Sequence, residues 1–180
     1  TGHSITISGG GAVQVMSINN GVTVSLNNLT LKDGSALLRG GGGIFNAGTL
    51  TVNNSIFSSN SATNAGGGIY NAGTLTVNNS TFSSNSATIG GGIYNAGTLT
   101  VNNSAFSSNS STPLSGGGIY NDNGGTLTVT NSTFSGNAAI DTGGGISNGG
   151  TLTISNSTFS GNSSANAGGG ILNNGSTLTV

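Results

Sequence analysis

The chain has 180 residues, 35 of them glycine, with two Lys/Arg, three Asp/Glu, one His and no Cys. So few cations exclude a phosphate-neutralising nucleic-acid binder and a basic membrane-surface helix. The missing thiols exclude disulfides and thiolate metal sites. No apolar run approaches 18 residues, so no transmembrane helix is expected and no membrane insertion by this segment.

Ile5 and Ile7 open the chain as a partial turn of a repeating pattern. They begin a strand similar to the Thr-Leu-Thr-Val strand that Val180 closes. A degenerate copy follows, with Ile18, Val24, Leu26 and Leu31 expected at the Ile, Leu, Val and Phe slots of the later repeats. From residue 41 the pattern is regular. Glycine triplets lead to Ile44, Ile69, Ile93, Ile119, Ile146 and Ile171, in steps of 24 to 27 residues. A Thr-Leu-Thr motif follows each, centred on Leu50, Leu75, Leu99, Leu127, Leu152 and Leu178. Phe57, Phe82, Phe106, Phe134 and Phe159 come next, each three residues before an Asn.

A period of this length means stacked units, each too small to bury its own core. Thr-Leu-Thr-Val alternates with period two and predicts a half-buried strand, Leu50 and Val52 inward, Thr49 and Thr51 outward. The Ile-x-Asn and Ser-x-Phe segments are short and flanked by turn-forming Gly, Ser and Asn. A helix is excluded by the glycine content and by the lack of a 3.6-residue apolar stripe. The regular apolar positions argue against disorder. The expected fold class is all-β: one β-solenoid over residues 1–180, with 1–40 degenerate and 41–180 regular. It has about seven coils of roughly 25 residues, three short strands per coil, and neighbouring coils about 4.8 Å apart.

Two asparagine columns follow from this stacking. Asn46, Asn71, Asn95, Asn121, Asn148 and Asn173 occupy one slot; Asn60, Asn85, Asn109, Asn137 and Asn162 occupy another. Stacked amides bond along such a column, as in cross-β ladders.

The pairing of Gly-Gly-x-Ile with Phe-x-x-Asn resembles the repeats of chlamydial polymorphic outer-membrane proteins. The run from Ile5-Thr6-Ile7-Ser8 through Leu29-Thr30-Leu31-Lys32-Asp33-Gly34 to the repeats is similar to right-handed parallel β-helix repeats of large bacterial surface proteins. The resemblance implies a right-handed parallel β-helix and an extracellular or cell-surface location. With it goes a non-enzymatic structural or adhesive role, as a segment of a surface protein or a self-assembling fibre.

Chemistry is sparse. Asp33, Asp122 and Asp141 fall at different corners; Lys32 and Arg39 lie in the least regular coil and His3 near one end. All six read as solvated loop charges, without the paired carboxylates of a hydrolase. The glycine runs lack the Lys-Ser/Thr ending of a phosphate loop, and no Asp recurs as in calcium-binding nonapeptides. No catalytic, metal or cofactor site is therefore expected.

Two outward rows are candidate surfaces. The first pairs Thr49, Thr74, Thr98, Thr126 and Thr151 with Thr51, Thr76, Thr100, Thr128 and Thr153, and continues to Thr177 and Thr179. It resembles the ice-binding face of antifreeze solenoids, although threonine is also an ordinary exposed strand residue. The second is Phe45, Tyr70, Tyr94 and Tyr120, interrupted by Ser147 and continued by Leu172. Its rings either stack on surface glycans or pair along the sheet. Sequons such as Asn53-Asn54-Ser55 arise from composition. Thr112-Pro113-Leu114 and Asp122-Asn123-Gly124-Gly125 lengthen turns around the fourth full repeat. Without a capping helix or charged end, the expected partners are another copy head to tail, in a filament, or flanking repeats of a longer chain. Nucleic acid is not among them.

Overall fold

A computed structural model describes residues 5–175 and 177–180, so His3 lies outside the described residues. Every described regular element is a strand, and all pair in parallel into four sheets running along one stack. Each sheet takes one strand from each successive coil. The coil from Ile69 shows the pattern: Ile69–Asn71, Thr74–Asn78, Thr81–Ser83, then Ser86–Ile89. We call the four the isoleucine, threonine, phenylalanine and short sheets. The first three have seven strands each and are the expected three per coil; the short sheet adds six more.

Register is strict. Ile69 pairs with Ile44 and Ile93, Leu75 with Leu50 and Leu99, Phe82 with Phe57 and Phe106. The strand interior therefore reads as columns of one residue type. Ile, Leu, Val and Phe of the central coils are fully buried, each contributing about 1.5–3 kcal/mol. The phenylalanines stack face to face at centroid spacings of 4.7–4.8 Å.

Polar groups that leave the sheets are satisfied within the stack. Asn46 donates through Nδ2 to Asn71 Oδ1 at 2.7 Å, and the chain of bonds continues through Asn95, Asn121 and Asn148 to Asn173. A second buried ladder runs from Asn60 to Asn162. A third column is serine: Ser55 N–H donates to Ser80 Oγ at 3.0 Å, with the same contact repeated to Ser104, Ser132 and Ser157. Among the described residues no buried side-chain polar atom lacks a partner.

The corners are columns as well. Asn28, Asn54, Asn79, Asn103, Asn131 and Asn156 turn from the threonine to the phenylalanine sheet, with φ between 47° and 58°. Asparagine tolerates this left-handed conformation better than other side-chain-bearing residues.

The first coil differs from its expected alignment. Met16, not Ile18, occupies the isoleucine slot, and Ile18 pairs with Asn46. Both point inward because they are two apart on one strand, so alternation alone cannot choose between them. Ile18 thus places a methyl-bearing side chain at the end of the first asparagine column. Val24, Leu26 and Leu31 fall in the Leu, Val and Phe slots as expected. Ile5–Ser8 pairs with Leu29–Lys32, so it belongs to the phenylalanine sheet, whereas Thr177–Thr179 belongs to the threonine sheet. The opening and closing strands are therefore not equivalent.

Candidate functional site

The core columns leave two outer faces with a regular surface chemistry. On the threonine sheet the side chains alternate, so every second residue of all seven strands faces out. One column runs Thr23, Thr49, Thr74, Thr98, Thr126, Thr151, Thr177; beside it run Ser25, Thr51, Thr76, Thr100, Thr128, Thr153, Thr179. Sequence reading missed the first coil's contribution, Thr23 and Ser25, because Val and Ser break the Thr-Leu-Thr motif there. The two columns lie about 6.6 Å apart, with about 4.8 Å between coils. A third outward column, Asn27, Asn53, Asn78 and Asn102, is locked by Nδ2 to Oδ1 bonds of 2.8–3.0 Å.

Among the described residues the threonine hydroxyls of the two columns make no hydrogen bond; Ser25 at the first coil differs, its Oγ accepting from Asn27 Nδ2 at 3.3 Å. Some threonines outside this sheet spend their hydroxyls inside the chain. Thr88 Oγ1 donates to Thr63 O at 2.7 Å, and Thr63 Oγ1 to Leu37 O at 2.6 Å. Thr142 shares a hydroxyl bond with Ser115 at 2.8 Å. The asparagine columns and the inner serine column from Ser55 to Ser157 are spent on internal bonds; the threonine hydroxyls remain available to something outside the chain. The sheet that carries them holds no charged residue.

The second face is the aromatic strip. Phe45, Tyr70, Tyr94 and Tyr120 are half-buried and stacked, with centroids 5.3, 4.8 and 5.5 Å apart. Each inner ring therefore presents its edge, not its face, to solvent. The strip also carries a carboxylate that sequence reading placed in a solvated loop. Tyr94 donates its hydroxyl to Asp122 Oδ2 at 2.8 Å. Asp122 stands in the slot that Ala47, Ala72 and Ala96 occupy in earlier coils, each following a column asparagine. Its N–H donates to Asn95 O, as Ala96 N–H donates to Asn71 O. The lengthened turn Asp122-Asn123-Gly124-Gly125 closes behind it through Gly125 N–H to Asp122 O at 2.8 Å. An acid following three alanines in this column was the available signal.

Burial, and then the hydrogen bond and negative charge of Asp122, raise the Tyr94 phenol well above its ordinary range. Burial, with Asp122 second, raises Tyr70 and Tyr120. A phenol whose folded pKa is raised holds its proton in the folded state while the unfolded chain loses it. Its contribution to stability is therefore complete below the unfolded value, about 10, and falls as pH rises beyond it. A phenolate absorbance titration should show all three tyrosines ionising later than free tyrosine, Tyr94 last. Asp122→Asn should bring all three down, Tyr94 most. Three tyrosines titrating together at the free value would contradict this placement.

The remaining charges do not converge. Lys32 pairs with Asp33 at 3.3 Å, both partly exposed. Asp141 accepts from Asn166 Nδ2 at 2.8 Å and from Ser115 Oγ at 3.3 Å. Among the described residues no three His, Cys, Asp or Glu side chains are grouped as metal ligands.

A family model described as a right-handed beta helix region matches residues 11–180. Searches of the curated proteins and of the solved structures each found no match.

Proposed function

Because the chain belongs to the right-handed β-helix family, we propose that it is a structural and adhesive segment of a bacterial surface protein, extended outside the cell and without catalytic activity of its own. The observation that carries this reading is the in-register parallel stacking of coils along four sheets, like on like at most core positions, with buried polar groups paired inside the stack. Such a body is stiff along its axis and offers the same lateral surface in every coil. The scattered and individually paired acidic residues support a non-catalytic role. The likeness to chlamydial polymorphic outer-membrane protein repeats supports the surface location. Antibody against the folded chain should label intact cells of the producing organism. Labelling that appears only after permeabilisation would overturn the proposal.

A second reading has an observation of its own. The unspent hydroxyls of the threonine face form an uncharged, in-register array suited to a regular array of water, as in ice. It is the better recognition surface of the two, since the ring faces of the aromatic strip cover one another. The chain should then depress freezing relative to melting in a nanolitre osmometer. Thr98→Lys, at an exposed position in the middle of the face, should remove most of that gap. An ordinary freezing curve for the unaltered chain would end this reading.

A further inference from the structure

The first coil carries a cleft that neither outer face accounts for. It measures about 380 Å³ and is lined by Ala12, Val13, Gln14, Ala36, Leu37, Leu38 and Arg39, with Ser35 at its edge. It is shallow and open to solvent, so a ligand would lie along it rather than be enclosed. Its walls are fixed by hydrogen bonds. Ser35 N–H donates to Val13 O at 2.9 Å, and Gln14 Nε2 donates to Gly40 O at 3.0 Å and to Gly41 O.

The residues at this corner are chemically out of place. Ala36 pairs with Ala62, so Leu37 and Leu38 stand one coil before Thr63 and Asn64, which lie inside the strand Ser61–Ala65. Where that coil places a hydroxyl and an amide, the first places Leu-Leu-Arg. Leu38 is 92% exposed and Leu37 67%, beside Val13 at 61%. Arg39 is one of two cations in the chain. The other, Lys32, is paired with Asp33, whereas Arg39 has no hydrogen bond or ion pair among the described residues. An apolar cleft rimmed by one unspent guanidinium complements a ligand that is apolar along its length and anionic at one end. Guanidinium accepts a carboxylate through two parallel hydrogen bonds.

We propose that this cleft binds an alkyl carboxylate, its chain against Val13, Ala36, Leu37 and Leu38 and its carboxylate on Arg39. The test is calorimetric titration of the full chain with sodium decanoate below its micelle concentration, and with decanol as the uncharged counterpart. Decanoate should bind saturably at one site and more tightly than decanol. Arg39→Gln should weaken decanoate by about tenfold, in line with loss of a charged hydrogen bond, and leave decanol unchanged. Leu38→Asp should weaken both. Because these side chains are exposed, circular dichroism of each variant should match the parent. Absence of saturable binding, or equal affinity for decanoate and decanol, would overturn the proposal. So would concentration-dependent self-association abolished by Leu38→Asp, which would assign the cleft to a second copy.

Discussion

Gly91→Ala should cost more stability than any conservative change on the surface of this chain. A Cβ at Gly91 would lie 2.3 Å from Ser110 O and 2.6 Å from Gly117 O. Both obstacles are backbone, so no rotamer can relieve the clash. Gly91 is also tied between coils: its N–H donates to Gly116 O at 3.0 Å, and its carbonyl accepts from Gly68 N–H at 3.2 Å. Room for a methyl can come only from prising neighbouring coils apart, which breaks ladder bonds in the isoleucine and short sheets together. The expected loss exceeds about 4 kcal/mol, the exceptional end of single substitutions. Gly124 is the control, since a Cβ there meets nothing within 4 Å. Gly124→Ala should stay within about 0.5 kcal/mol of the parent. Denaturant midpoints of the two variants make the comparison, and hydrogen exchange should place the damage in the coils around Gly91. Equal midpoints would show that the close approach of coils at this corner is not real.

Asn85→Ala should be among the most damaging changes that leave the backbone path untouched. Asn85 is fully buried and works in both directions along its column. Its Oδ1 accepts from Asn60 N–H at 3.1 Å and from Asn60 Nδ2 at 3.0 Å. Its Nδ2 donates to Phe57 O at 3.0 Å and to Asn109 Oδ1 at 2.9 Å. Alanine leaves Asn60 N–H without an acceptor in a place water does not reach, and withdraws a donor from Phe57 O. At about 1–3 kcal/mol for each stranded group, the expected loss is about 3–5 kcal/mol. Asn78 belongs to the outward asparagine column and makes comparable amide contacts, at 2.9 and 3.0 Å. There water replaces what is lost, so Asn78→Ala should cost less than about 1 kcal/mol. Urea denaturation of the two variants reads the difference directly. Similar losses at both positions would mean that the inner column is hydrated.

Most of the architecture was legible because the repeat is written in residues with strong preferences. Leu50 and Val52 against Thr49 and Thr51 gave the inward and outward faces, and the Phe-x-x-Asn spacing placed Asn60 and Asn85 in one column. The short sheet was not legible. Ser35–Ala36 and Ser110–Ser111 are two residues each, too short to alternate and without a large apolar side chain. Ile18 was misplaced because it and Met16 share parity and the glycine triplet before them, Gly9-Gly10-Gly11, does not directly precede either. The buried serine column was hidden by composition, since Ser55 and Ser80 sit among many exposed serines and only the fold separates them. Asp122 required both the alanine column and the lengthened turn to be read together. Which hydroxyls the molecule keeps for itself, and which it leaves to solvent, depends on distances between coils that no single repeat encodes.

The uniformity of the columns also bears on how such a gene can change. Excising Ile69 through Gly92 would join Gly68 to Ile93 and rejoin the Ile, Leu, Val, Phe and Asn columns like on like, with small mismatches such as Ala62 beneath Ser111. The shortened protein would lose one rung and no structural feature. Adding or removing whole repeats would therefore lengthen or trim the molecule in whole steps while keeping the core columns continuous.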